Sequence, residues 1–254
     1  MWPAEASVVP SGVGAASGGP AFLPEILPAP LAGEAPELDW LEEALAGRPR
    51  AVLWRSAPAL VVPASYRRYE GLGEVSSAFA ARGWPVRVRR SGGGLVPQGP
   101  GILNLSLAWR AEGPDGGAGD AAYARLCGVL SRGLARLGLA SRPAAVAGSF
   151  CDGRWNLAAD LPDGPRKLAG TAQYWRRRGG RSAVLAHALL LVEADAAGLT
   201  ALANEVESAL GSGRRYDPWA VTDVAAEWRR THGTAAPADL VDRVAEALCL
   251  AIVS

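Results

Sequence analysis

Cysteine, histidine and lysine are the scarce reactive residue types of this chain. It holds three cysteines and two histidines, and among its 26 basic residues Lys167 is the only lysine. Where arginine supplies nearly all positive charge, a retained lysine draws attention to what an ammonium does and a guanidinium does not. It is compact, it can lose its proton, and it can close on a single oxygen or sulfur. Chance survival is the ordinary explanation for one lysine. Against it stands Cys151, one of the three cysteines, in the same segment, FCDGRWNLAADLPDGPRKLAGTAQ (residues 150–173). A thiolate is the nucleophilic form of cysteine, and a neighbouring cation favours it. The pair Cys151 and Lys167 therefore has the composition of an activated nucleophile with its electrostatic partner.

A second constellation lies upstream. Arg90-Ser91-Gly92-Gly93-Gly94 places three residues without Cβ in succession, which lets backbone N–H groups approach a ligand oxygen closely. Alone, such a triplet is more often a flexible turn. Here Arg89 and Arg90 precede it, and GILNLSL (residues 101–107) follows with the period of a strand, setting Asn104 and Ser106 together on one face. His187 opens an apolar run, whereas His232 sits in a Thr-His-Gly turn facing solvent. The cysteines at 127, 151 and 249 and the two histidines do not have the spacing of a zinc site or a disulfide framework, so no metal is expected.

The elements that must hold these residues can be read in outline. The balance of 26 basic and 25 acidic residues argues against nucleic-acid or membrane binding through bulk charge. No apolar run is long enough to span a bilayer, and the first basic residue is Arg48, so a signal peptide is not expected and the cytoplasm is the expected compartment. Residues 1–36, rich in Pro, Gly, Ala and Ser, read as a flexible tail or a loosely docked arm without a core of its own. Helical spacing covers 38–46, 73–82, 120–137, 199–210, 221–230 and 238–252, with Cys127 a packing residue. Strand patterns cover 51–54, 60–62, 85–90, 101–107, 166–177 and 182–192, the first two expected to pair across a turn and the last two to flank the basic turn 176–181. That turn reads first as solvated, although it could attract an acidic carrier. The expected fold is α+β, a mixed, largely antiparallel sheet with helices packed mainly on one face, formed by a single domain over 37–254.

Taken in order, RSGGG (90–94), GILNLSL (101–107), GPRKLAGTAQ (164–173) and His187 before ALLLVEAD resemble the lipoate-protein ligase and octanoyl- or lipoyltransferase family, a branch of the biotin/lipoate protein ligase superfamily. The resemblance spans about residues 38–210. It implies an acyl tunnel roofed by the glycine turn, walled by the strands around 86–88, 103–105 and 189–191, with Lys167 at the reacting carbonyl. Substrate-binding roles fall by resemblance on Arg90, Ser91, Gly92, Gly93, Gly94, Asn104, Ser106, Gly170 and His187. The ATP-dependent ligases continue the glycine turn with an aromatic residue and a His-Asp-like pair, whereas this chain continues Leu95-Val96-Pro97-Gln98-Gly99-Pro100. Phe150-Cys151-Asp152-Gly153-Arg154-Trp155-Asn156-Leu157 instead resembles the cysteine-dependent transferases, which makes Cys151 the acyl-carrying nucleophile.

The resemblance implies transfer of an octanoyl or lipoyl group from an acyl thioester donor, through a thioester on Cys151, to a lysine of a lipoyl-carrier protein, either a lipoyl domain or a glycine-cleavage H-like protein. No cofactor is required for that reaction, and a monomer is expected. Two alternatives stay open. In an ATP- and Mg-dependent ligase working through a lipoyl-adenylate, Cys151 would be a bystander; in a catalytically silent homologue, the chain would only bind an acyl group or an acylated protein.

Overall fold

The computed structural model describes residues 20–113 and 117–254. Its strands are β1 (Pro24–Ile26), β2 (Arg50–Trp54), β3 (Ala59–Pro63), β4 (Val86–Arg89), β5 (Val96–Gln98), β6 (Ile102–Ala111), β7 (Arg142–Pro143), β8 (Leu157–Leu161), β9 (Gly164–Arg178) and β10 (Arg181–Leu191). Its helices are α1 (Glu37–Leu45), α2 (Leu72–Ala81), α3 (Ala118–Arg136), α4 (Ala196–Ala209), α5 (Val224–His232) and α6 (Leu240–Val253). The α+β class read from the sequence is the class observed. One sheet has seven strands in the order β1-β2-β6-β10-β9-β8-β7, and a second has three in the order β4-β3-β5. Only the β1/β2 and β3/β4 pairs are parallel.

Period-two alternation decides which side chains meet which layer. From β6, Leu103, Leu105, Leu107 and Trp109 join a core with α3, α5 and α6, together with Val184, Ala186, Ala188 and Leu190 of β10. The opposite face carries Asn104 and Ser106 from β6 and His187 and Leu189 from β10, beneath α1 and the small sheet. α1 packs there through Trp40, Leu41, Ala44 and Leu45 against Val52, Ala108 and Leu185, while α2 and α4 cover the small sheet through Phe79, Leu202 and Val206. The β9–β10 hairpin closes on Gly179 and Gly180 at φ 55° and 73°, a two-residue turn in which both residues must take positive φ. The turn's arginines lie largely at the surface, as the sequence reading has it: Arg177, Arg178 and Arg181 are exposed, while Arg176 pairs with Glu42 of α1 at 2.7 Å and Arg178 with the same carboxylate at 3.4 Å.

Three sequence expectations are corrected. β2 and β3 do not pair: residues 55–57 bond to Leu31, through Leu31 N to Arg55 O at 2.8 Å and Ala57 N to Leu31 O at 3.0 Å, and the chain passes from one sheet to the other. Within the proposed arm, residues 1–19 lie outside the described residues, but the remainder is docked. β1 adds to the edge of β2, and Phe22 stands edge-on to Trp109 at 6.0 Å. Covering an otherwise open sheet edge gives this segment its order. Finally, α5 starts later than expected, because the Asp223 carboxylate accepts from Ala226 N at 2.6 Å and caps the helix there.

The α3–α6 contact depends on Gly133, where an added Cβ would lie 2.5 Å from Leu248 Cδ2 and 3.3 Å from Leu248 Cα. Gly133→Ala is expected to lower unfolding free energy in urea by about 1–3 kcal/mol through overpacking, and an unchanged midpoint would contradict this packing.

Candidate active site

Strand register assembles the floor of the site. Ser106 lies opposite His187 on one side and Val52 on the other, and Leu189 lies opposite both Asn104 and Gly170. Asn104, Gly170, His187 and Leu189, with Trp54, Ser91 and Cys151, line a cavity of about 360 Å³. Val61, Val88, Val96, Leu185 and Leu189 supply apolar wall. The expected contribution from Leu103 and Leu105 is not observed, since both point into the helical core on the other face. Gln98 and Asn104 exchange hydrogen bonds of 2.7 and 3.0 Å, tying the small sheet to the large one.

Lys167 reaches this face through a register shift. β8 and β9 pair Leu157 with Ala169 and Ala158 with Lys167, skipping Leu168. Both Leu168 and Ala169 therefore face the helical core, and Lys167, which strict alternation would place on the same side as Ala169, emerges beside Gly170 under the cavity. A bulge of this kind redirects a side chain at the expense of one ladder position. The ammonium is fully buried. It donates to the carbonyls of Phe150 and Cys151, the latter at 3.0 Å, and lies 4.9 Å from the Phe150 ring centroid. Burial pushes its pKa down to about 8, with Arg89 acting in the same direction and the negative charges of Cys151 and Asp152 opposing. Gly170 is required by this neighbour, as a Cβ there would come 3.2 Å from Nζ.

Cys151 has φ 55° and is the one non-glycine residue at positive φ among the described residues. A left-handed conformation costs an L-residue roughly 1–2 kcal/mol. The bond from Lys167 to the Cys151 carbonyl and a 2.9 Å bond from Asn156 Nδ2 to the same oxygen hold it. Its Sγ packs on Gly93, itself at φ 99°, where any Cβ would lie 2.5 Å from the sulfur. Arg89 sits on the same spot. Its guanidinium donates to Gly94 O at 2.6 Å, Gly92 O at 2.8 Å and Val61 O at 3.0 Å, bracing the glycine turn. Burial lowers the Arg89 pKa, while negative charge on Cys151, Tyr66 and Glu37 raises it.

Beyond Cys151 lies a second cavity of about 450 Å³, between Gly93-Gly94 and the segments 148–153 and 214–216, with Arg214 and Arg215 at its rim. Its wall is tied down by buried Glu207, which accepts from Tyr66 Oη at 2.5 Å and Tyr216 Oη at 2.7 Å. Tyr66 Oη in turn accepts from Leu95 N at 3.2 Å, just after the glycine turn. Burial first, then the Glu207 carboxylate, push the Tyr66 phenol up to about 12. Cys127 and Cys249 are buried thiols pushed up to about 11 and 12 by desolvation, which leaves them unreactive.

Of the residues singled out from the sequence, Cys151, Arg90, Ser91, Asn104, Gly170 and His187 line the first cavity. Gly93 and Gly94 line the second, and Gly92 is exposed with its carbonyl turned to Arg89. Lys167 and Ser106 lie behind the wall. The sequence reading passed over Arg89, choosing the exposed Arg90. The alternation of Val-Arg-Val-Arg in β4 was the available signal, but it does not mark which face meets the cavity, since Arg87, Val88 and Arg89 all border it. It also passed over Glu37, whose carboxylate meets His187 Nδ1 at 2.7 Å; these residues are 150 positions apart, and nothing local connects them.

The fold is that of lipoate protein ligases. It superposes on a Thermoplasma acidophilum protein assigned as a lipoate protein ligase and solved with lipoic acid, with TM-score 0.59, 19% identity and coverage of 91% of this chain and 83% of that one. It also superposes on lipoate-protein ligase A bound with ATP, with TM-score 0.52, 19% identity, and coverage of 85% and 86%. Residues 39–239 match the lipoyl protein ligase A/B catalytic domain, and the chain belongs to that family. An uncharacterized protein of Cupriavidus necator is 51% identical over 196 residues, 74% of this chain and 78% of its own length. The octanoyl-[GcvH]:protein N-octanoyltransferase of Kyrpidia tusciae is 37% identical over 163 residues, 60% of this chain and 53% of its own length, so the match spans about half of that enzyme.

Lys167 leaves a signature in stability. Free lysine holds its proton to about pH 10.5 and the folded protein releases it at about 8, so between these values the unfolded state binds more protons and stability rises with pH. Urea unfolding is expected to show a gain of about 2 kcal/mol from this group between about pH 8 and pH 10, the slope staying below about 1.4 kcal/mol per pH unit because the native amine is only half deprotonated at the start of that range. Lys167→Met should lack that rise, and an identical pH dependence in both proteins would place the lysine outside the buried site.

Proposed function

We propose that this chain is a cysteine-dependent acyltransferase that moves an octanoyl or lipoyl group from a thioester donor to the lysine of a lipoyl-carrier protein. The observation that carries this reading is the placement of Cys151, held at positive φ between an apolar cavity and a second, glycine-walled cavity open toward the arginine rim. The acyl chain fits the first cavity, whose apolar walls meet the medium-chain substrate implied by the family. The second gives a carrier's arm access to the same sulfur.

In the first half-reaction the Cys151 thiolate attacks the donor carbonyl, the tetrahedral intermediate collapses, and the donor leaves as a thiol after taking up a proton. In the second, the acceptor amine attacks the Cys151 thioester, the C–N bond forms, and the C–S bond breaks with its electron pair returning to sulfur. Splitting the transfer in this way replaces one slow step with two easier ones. Lys167 and Arg89 are the cations coupled to the sulfur. Two of the three ammonium N–H groups of Lys167 bond to the Phe150 and Cys151 carbonyls; the third is available at the Gly170 wall for the oxygen of the tetrahedral intermediate, alongside backbone N–H groups of the glycine turn. The name of the Kyrpidia relative identifies octanoyl-GcvH as its own donor, which makes a GcvH-like protein the first carrier to test here.

After incubation with an octanoyl thioester, intact mass is expected to show one octanoyl adduct, sensitive to hydroxylamine and absent from Cys151→Ala. Lys167→Arg keeps the charge but has no room beside Gly170, and should slow turnover by about 100-fold or more, the usual effect of removing one oxyanion donor. Lipoate-dependent release of pyrophosphate from ATP that survives Cys151→Ser would overturn the transferase reading in favour of a ligase. Tight acyl binding with no turnover in either assay would mark a silent homologue.

A further inference from the structure

The mechanism above leaves one proton without a destination. The acceptor lysine arrives as an ammonium and sheds two protons on its way to an amide; the departing Cys151 sulfur can take one, and while Lys167 stays protonated on the Phe150 and Cys151 carbonyls the other needs a base. Across the first cavity, His187 Nε2 lies 3.0 Å from Ser91 Oγ and His187 Nδ1 lies 2.7 Å from Glu37 Oε1. Glu37 Oε1 also accepts from Ser106 Oγ at 2.9 Å, and Ser106 Oγ accepts from Trp54 Nε1 at 3.0 Å. The hydroxyl is thus committed, and the carboxylate is fixed in place. A carboxylate can only accept, so it selects the Nδ1–H tautomer of His187 and leaves Nε2 as the acceptor facing Ser91. This is the acid–histidine–hydroxyl order in which imidazole takes a proton from an oxygen and a carboxylate stabilises the imidazolium. Desolvation works against the Glu37 charge, yet His187, the Ser106 hydroxyl and the Arg89 guanidinium together hold its pKa below the ordinary carboxylate value.

We infer that Ser91, His187 and Glu37 form a proton relay serving the second half-reaction, with Ser91 two residues before the glycine that packs on the Cys151 sulfur. As the acceptor nitrogen bonds to the acyl carbon and the C–S electron pair returns to Cys151, one of the nitrogen's two surplus protons goes to the departing sulfur; the other passes to Ser91 Oγ while the Ser91 hydroxyl proton passes to His187 Nε2. The imidazolium then releases it to solvent. Ser91 and His187 are the residues that exchange protons; Glu37 is a positioning residue acting through His187. This inference rests on the transferase reading.

The test separates nucleophiles that need a base from one that does not. Wild type, Glu37→Gln and Ser91→Ala are loaded with octanoyl thioester, and the S-octanoyl enzymes are mixed in turn with an apo carrier protein and with hydroxylamine, which is already neutral near pH 7. Whatever the loading rate of the variants, the fully loaded enzymes are compared, and the ratio of transfer to the carrier lysine over release by hydroxylamine is expected to fall by about 100-fold in both, with the loss in kcat and little change in KM, as loss of general-base catalysis requires. Circular dichroism certifies that each variant is folded. Equal losses with both nucleophiles, or no loss with either, would overturn the relay. Failure of wild type to form any adduct would overturn the transferase reading, and the relay with it.

Discussion

The arrangement depends on one buried ammonium. Lys167 has no access to water, so its charge has to be met within the protein, and the carbonyls of Phe150 and Cys151 meet it. That requirement runs in both directions. The lysine needs two oxygens at one point, and the loop carrying Cys151 needs something to hold it in a conformation that an L-residue otherwise avoids. Together they place a thiol against a glycine turn. Gly170, with no side chain to crowd Nζ, belongs to the same constraint.

Around that point the two sheets divide the work. The large sheet supplies a flat, register-locked floor, on which Asn104, Ser106, His187, Leu189 and Gly170 are neighbours across strands. The small sheet supplies the glycine turn and Arg89, and is anchored to the floor by the Gln98–Asn104 pair and to α4 by the Tyr66–Glu207 contact. A cavity opens on each side of Cys151, the second of them walled in part by Gly93, Gly94, Gly148 and Gly153. A transferase that must accept an apolar chain from one direction and a carrier's arm from another needs such a two-sided nucleophile.

The departures from the sequence reading share a cause. Arg89 and Arg90 are adjacent and identical in type, and only the docking of β4 against the cavity turns one inward and leaves the other exposed. The apparent hairpin of β2 and β3 consists of two good strands whose partners lie elsewhere, β6 for one and β4 with β5 for the other. The segment 20–36, poor in periodicity, is ordered by an edge it covers. In each case the local pattern was correct and the partner was missing.

By itself the sequence determined the α+β class, the six helices and six of the ten described strands, the family, and the pairing of Cys151 with Lys167, because these depend on residue type, short-range periodicity and motif order. It also placed Asn104 and Ser106 on one face, since a strand's period is local. What tertiary structure alone decided is how those residues are aimed. Strict alternation would send Lys167 into the helical core; the bulge at Leu168, set by pairing with β8, turns it to the site. Glu37 and His187 meet only because α1 packs over β10. Direction and long-range contact are properties of packing between distant segments, and no local pattern encodes them.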